Sequence, residues 1–310
     1  MINQRIGLMF AGQGAQYPGM GRDLAENFSA ARQVFAESDR ILQRPISALC
    51  HSGSAEELTD TANCQPAIYA VSIACLEALR ERTGNRLNPA VCAGLSLGEF
   101  AALHAAAAIS FATGLQLLGQ RGKLMAEACR ETHGTMAAVL NAERETVEQV
   151  CRQCGIDVAN YNCPGQLVVS GEKDQVENAI AELGNQGISR VVPLSVAGAF
   201  HSRLMRGAAR SFAPLLDSAE IMAPSCPVAQ NATGQPATKP ERIKENLKKQ
   251  VDGSVLWESC VRDMMARTDL LLEMGPGSAL CGFVRRIDRN FPAYPVGTAE
   301  QVESVAGMLA

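Results

Sequence analysis

The chain has 310 residues, 47% of them apolar and 19% charged, with a formal net charge of −4. A length and apolar content of this order mark a globular protein with one large domain, or a large one with a smaller companion, and the acidic balance excludes a dedicated nucleic-acid binder. No segment approaches the ~20 uninterrupted apolar residues of a membrane-spanning helix, and the N-terminal segment reaches glycine turns too early for a secretory signal; no membrane partner and a cytoplasmic address are expected.

Eleven cysteines, an odd number scattered along the chain, suit a reduced compartment better than a disulfide framework. Only Cys151 and Cys154 are spaced as a CxxC pair. No second Cys/His pair at metal spacing follows, and the two read as the end of a helix stopped by Gly155.

In chain order, RIGLMF (5–10) reads as a short buried strand, and AGQGAQYPGMG turns it into a helix from about Arg22 to Ser38. The loop between is no phosphate-binding fingerprint: the third glycine of GxGxxG falls on Tyr17, and the lysine of a P-loop is missing. Pro66 to Arg80 is helical. Pro89 to Ala93 is a short apolar strand, and a helix from Leu97 to about Ala108 follows, so Ser96 lies at a strand-to-helix turn.

Between Thr135 and Val196 the rhythm changes. TMAAVL, IDVANYN, GQLVVSG and SRVVPLSV are strand-like, while ERETVEQVCRQC and EKDQVENAIAELGNQG are helical. The order βαββαβ is that of a ferredoxin-like unit. We assign it to residues 131–197, inserted in a large α/β domain made of residues 1–130 and 198–310. DLLLEMGPGSALCGFVRRI (269–287) adds another strand, glycine turn and helix. Repeated strand-loop-helix units predict an α/β sheet with sites at the carboxyl ends of its strands.

Gly94-Leu95-Ser96-Leu97-Gly98 is the GxSxG pattern of a nucleophile elbow, as in the α/β-hydrolase fold: the glycines relieve crowding at a sharp bend, and the following helix offers N–H groups to an oxyanion. A serine nucleophile needs a base. Of the four histidines, His104 is too far along the elbow helix, and His51 and His133 sit in polar, loop-like surroundings. His201, in a Gly/Ala-rich loop, is left by elimination.

Seven motifs, FAGQGAQYPGMG, GLSLGEF, QRGKLM, NYNCPGQLVVSG, GAFHSRLM, KKQVDGSVLW and EMGPGSAL, follow one another between residues 5 and 298. Together they resemble the malonyl-CoA:acyl carrier protein transacylases of fatty acid synthesis and the acyltransferase domains of polyketide synthases. The resemblance implies a malonyl transfer from malonyl-CoA to the phosphopantetheine thiol of acyl carrier protein through Ser96, with His201 as base and no bound cofactor or metal. The alternatives are a trans-acting polyketide acyltransferase, an acyl-thioester hydrolase, or a silent docking module.

On the same resemblance, Arg121 holds the malonyl carboxylate, although by itself an arginine at the start of a helical turn reads as surface. Gln13 and Leu97 supply the backbone N–H groups of the oxyanion hole. Gln250, counted with Arg121 and Phe200 on the substrate side, orients the histidine through its carbonyl in place of a triad carboxylate. Phe200 fills the space of an α-methyl branch and favours malonyl over methylmalonyl. The residue before the nucleophile, often histidine in the family, is Leu95, whose side chain has no hydrogen bond to donate. An acidic carrier is expected to dock on a local basic patch drawn from Arg203, Arg206, Lys248, Lys249, Arg285 and Arg286, with the enzyme acting as a monomer.

Overall fold

Apolar runs and glycine turns alternate through the first hundred residues, and the chain folds on that rhythm. In the computed structural model, which describes residues 4–310, β1 (Ile6–Phe10) is buried along its whole length. Two helices follow, α1 (Arg22–Asn27) and α2 (Ser29–Leu42), where the sequence predicts one. The break is Phe28, whose extended backbone sends its ring into the core.

Two short helices, α3 (Ile46–Ser52) and α4 (Ala55–Thr59), lead to α5 (Thr61–Thr83), which begins before the predicted Pro66. Pro66 has no N–H for the Ala62 carbonyl, and Arg44 donates to that oxygen instead, at 3.3 Å. β2 (Val91–Gly94) and α6 (Gly98–Ala105) flank Ser96. α6 ends short of the expected Ala108 because the chain turns at Ala107, where φ is 58°. The long α7 (Phe111–Glu131) follows.

The middle of the chain forms β3 (Gly134–Leu140), α8 (Arg144–Cys154), β4 (Asp157–Cys163), β5 (Gln166–Glu172), α9 (Lys173–Asn185) and β6 (Val191–Pro193). These strands make an antiparallel sheet in the order β4-β5-β3-β6. The period of two sorts β3: Ala137 and Val139 pack with Val147, Val150 and Val176 under α8 and α9, while Met136 and Ala138 face the main core. The helix carrying Cys151 and Cys154 stops at Gly155, φ 71°, as read.

A 3₁₀ turn at Arg203–Met205 precedes α10 (Arg206–Ser218), β7 (Val228–Gln230), β8 (Gln235–Ala237) and α11 (Pro240–Gln250). The chain closes with α12 (Trp257–Arg267), β9 (Leu270–Met274), α13 (Ala279–Ile287), β10 (Ala293–Val296) and α14 (Ala299–Leu309). The large sheet runs β10-β9-β1-β2-β7-β8, parallel except for β8. Leu8 and Phe10 of β1 face the core shared with α5 and α6, and Met9 faces a second core with α12 and α13. Phe10 is paired with both Gly94 and Met274, so β1, β2 and β9 end level and their following loops emerge on one edge.

Candidate active site

The elbow is built by close approach. A Cβ on Gly94 would lie 1.9 Å from the carbonyl carbon of Gly98, and one on Gly98 would lie 2.4 Å from the Phe10 oxygen. Only glycine lets β2, α6 and β1 meet there. Between them Ser96 takes a left-handed φ of 53°, a strained conformation for a residue with a side chain. Asn231, just after β7, clamps the bend from both sides: its Oδ1 accepts from the Ser96 N–H at 2.7 Å, and its Nδ2 donates to the Gly94 carbonyl at 2.8 Å.

Ser96 Oγ lies 2.7 Å from His201 Nε2, and His201 Nδ1 lies 2.8 Å from the carbonyl oxygen of Gln250. A carbonyl only accepts, so Nδ1 carries the proton and the Nε2 lone pair faces the serine. Gln250 is the last residue of α11, and its carbonyl is one of those a helix leaves without an internal partner. Burial, then the nearby Arg121, pushes the His201 imidazole down to about 4, which keeps it neutral and able to take a proton at pH 7. The other histidines lie elsewhere: His104 meets the Ile109 carbonyl at 3.2 Å, His51 packs edge-on against Phe35, and His133 is exposed.

Arg121 overturns the surface reading. It is 1% exposed, on the inward face of α7. Its Nη1 donates to Gln65 Oε1 at 2.8 Å, and its Nη2 donates to Ser96 Oγ at 3.1 Å and to Gln250 Oε1 at 3.0 Å. Burial lowers its guanidinium to about 10, against the pull of Glu99, so it remains charged at neutral pH.

A cavity of about 370 Å³ opens over Ser96, walled on one side by the Gln13 loop and Arg121 and on the other by Asn160 of the small sheet. Phe200 and His201 line it together. The backbone N–H groups of Gln13 and Leu97 have no protein acceptor among the described residues. Leu95 forms part of the wall, and a Cβ on Gly12 would lie 2.8 Å from its carbonyl oxygen, which accounts for the glycine there.

Gln250, counted with the substrate side, is wholly buried and outside the cavity lining; its carbonyl meets His201 and its side chain meets Arg121. Among the basic residues, Arg203 is engaged with Asp157 at 2.8 Å and Lys248 with Asp217 at 2.5 Å. Arg206, Lys249, Arg285 and Arg286 are exposed and in no ion pair among the described residues. Three contacts of the site were not read from sequence. Gln65 and Asn231 carry no local pattern, whereas Glu99 stands in plain view as the one acid of GLSLGEF.

Comparison with known proteins agrees with this geometry. The acyl transferase domain family matches residues 8–285. A malonyl CoA-acyl carrier protein transacylase of Bacillus subtilis (strain 168) is 38% identical over 305 residues, 96% of this chain and 95% of that one. Among solved structures, the acyl-carrier-protein-S-malonyltransferase from Bartonella henselae superposes with a TM-score of 0.93 at 37% identity, covering 98% of this chain and 99% of that one. A malonyl-transacylase solved in complex with a type II PKS acyl-carrier protein reaches a TM-score of 0.94 at 33% identity, over 98% of this chain and 99% of that one. Similarity at this level over nearly the whole length makes the chain a member of the acyltransferase family, among the malonyl CoA-acyl carrier protein transacylases.

Proposed function

We propose that the protein transfers a malonyl group from malonyl-CoA to the phosphopantetheine thiol of acyl carrier protein, supplying fatty acid synthesis. The observation that carries this reading is a buried, charged Arg121 whose N–H group touches the nucleophile's own Oγ, which gives an acyl site made for a carboxylate.

Ser96 Oγ attacks the thioester carbonyl while His201 Nε2 takes its proton. The oxyanion forms between the Gln13 and Leu97 N–H groups, the latter at the positive end of α6. When the intermediate collapses, His201 returns the proton to the CoA sulfur, and malonyl-serine remains. The carrier thiol then repeats the sequence in reverse. The guanidinium has five N–H donors, of which three are engaged. The second hydrogen of Nη1 and the Nη2 hydrogen now on Ser96 form the parallel pair for the malonyl carboxylate. These steps balance with the dyad and the two thiols, and call for no cofactor or metal.

We read the large sheet with its elbow as α/β-hydrolase-like and the small antiparallel sheet as a ferredoxin-like insert at residues 131–197, the larger domain being 1–130 and 198–310, of which residues 1–3 lie outside those described. Phe200 narrows the acyl side of the cavity against a branched substrate. Arg206, Lys249, Arg285 and Arg286 are the open basic groups for an acidic carrier. We further propose a cytoplasmic monomer; no helix among the described residues is long and apolar enough to cross a membrane. Incubation with malonyl-CoA and holo carrier protein, read by intact mass, should give malonyl-carrier and a malonyl adduct absent from Ser96→Ala. Free malonate without malonyl-carrier would make the protein a hydrolase.

A further inference from the structure

Among the buried ionisable groups to which the reaction gives no part, one stands directly behind the dyad. Glu99, on the first turn of α6, is wholly shielded from solvent. Its Oε2 accepts from Gln250 Nε2 and from the Asn231 N–H, both at 2.9 Å. Its Oε1, equally buried, has no partner among the described residues. Gln250 bridges outward: its Nε2 also donates to the Ser96 carbonyl at 2.9 Å, and its Oε1 accepts from Arg121 Nη2 at 3.0 Å.

One side-chain amide therefore separates this carboxylate from the guanidinium, and both are cut off from water. Desolvating a guanidinium costs several kcal/mol unless an anion stands near. Glu99 is faced by Arg121 from α7 and by the Cys260 thiol from α12, while His201 touches the same Gln250 through its carbonyl. Burial lifts the Cys260 thiol well above its ordinary range and lowers the imidazole to about 4, so both are neutral near pH 7 and Arg121 is the cation that faces Glu99.

We propose that Glu99 is a positioning residue and a built-in counter-ion: it balances Arg121 in the empty site and takes up one proton from solvent when the malonyl carboxylate docks. This rests on the reading of Arg121 as the malonyl clamp. Two carboxylates around one guanidinium in a dry site repel, and the repulsion is relieved by protonating one of them. The new O–H bond forms on Oε1, the oxygen with no donor. Oε2 goes on accepting from Gln250 and Asn231, so the bonds that hold the elbow and the histidine are preserved while the site keeps one cation and one anion. Burial already pushes the Glu99 carboxyl up to about 7, against the donors and Arg121, which places it where a second anion tips it over.

The test is calorimetric titration of the Ser96→Ala protein with malonyl-CoA at pH 8, in buffers of different ionisation enthalpy. Close to one proton taken up per malonyl-CoA bound is expected, with none for acetyl-CoA and none in the double variant Ser96→Ala/Glu99→Gln. By linkage, malonyl-CoA affinity in the single variant falls about tenfold per pH unit above the Glu99 titration and stays flat in the double variant. Malonyl-CoA binding without proton uptake, or uptake that persists without the Glu99 carboxyl, overturns the inference and leaves the clamp standing. Absence of a malonyl adduct on the unsubstituted protein overturns the proposed function and the inference together. Should Glu99→Gln fail to fold, the acetyl-CoA comparison and the pH slope of the single variant still decide.

Discussion

Replacing Arg121 with alanine removes three hydrogen bonds and, among the described residues, the only charge that touches the nucleophile. For a malonyl thioester the loss includes the clamp on the carboxylate. Truncating one partner of a buried charge pair costs about 3–5 kcal/mol, or roughly 10²- to 10⁴-fold in kcat/KM. The substitution also leaves the Gln65 and Gln250 amide oxygens without their donor, at about 1–3 kcal/mol each when buried. That second cost falls on every substrate alike. Selectivity is therefore the quantity to measure: malonyl-CoA and acetyl-CoA compete for one pool of holo carrier protein, and the two products are separated by mass. The ratio of malonyl to acetyl product should drop by at least about 10²-fold in Arg121→Ala, the lower bound of the charge-pair term. An equal fall for both substrates would refute the clamp and make Arg121 a merely structural residue.

Phe200→Ser should raise transfer of methylmalonyl relative to malonyl by about tenfold or more, the size of one methyl group's steric penalty; unchanged discrimination takes the ring out of the selectivity argument. Asn231→Ala strips acceptor and donor from the Ser96 N–H and the Gly94 carbonyl. A loss of about 2–6 kcal/mol in urea unfolding is expected, and wild-type stability would show that the bend needs no clamp. His201 is held neutral, with its pKa pushed down to about 4, whereas the unfolded chain protonates it near 6.5. Its contribution to stability is therefore whole above about pH 6.5 and drains away as pH falls towards 4. Formation of malonyl-serine should likewise persist well below pH 6.5, and half-loss of the acylation rate near that value would contradict the burial of the base.

Much of the site was legible because it is written in short local patterns. GLSLG announces a bend that only glycines permit, and the paucity of histidines brought His201 forward before any contact was known. Arg121 needed the family resemblance, because nothing local distinguishes an arginine facing inward on α7 from one facing out. Asn231 and Gln65 were invisible for a different reason: each serves a partner far away in sequence, and only the tertiary fold makes their amides adjacent to Ser96 or Arg121. In the fold, the order of the middle elements read directly from the alternation of strand-like and helical segments, whereas the two faces of β3, one under α8 and α9 and the other on the main core, emerge only with packing. The split at Phe28 did not, since an apolar residue at a helical spacing fits a continuous helix equally well until the core claims its ring.

The partner of His201 Nδ1 is a main-chain oxygen, and this changes what mutation can reach. A triad aspartate is one codon, and a single base change can remove it. No exchange of the side chain at position 250 deletes the carbonyl, although it disturbs Arg121 and Glu99. The histidine's orientation is inherited through the length and pitch of α11 instead. The lesion that disables it is a one-residue insertion or deletion in that helix, which swings the terminal carbonyl by about 100° and leaves every residue named in this site chemically intact.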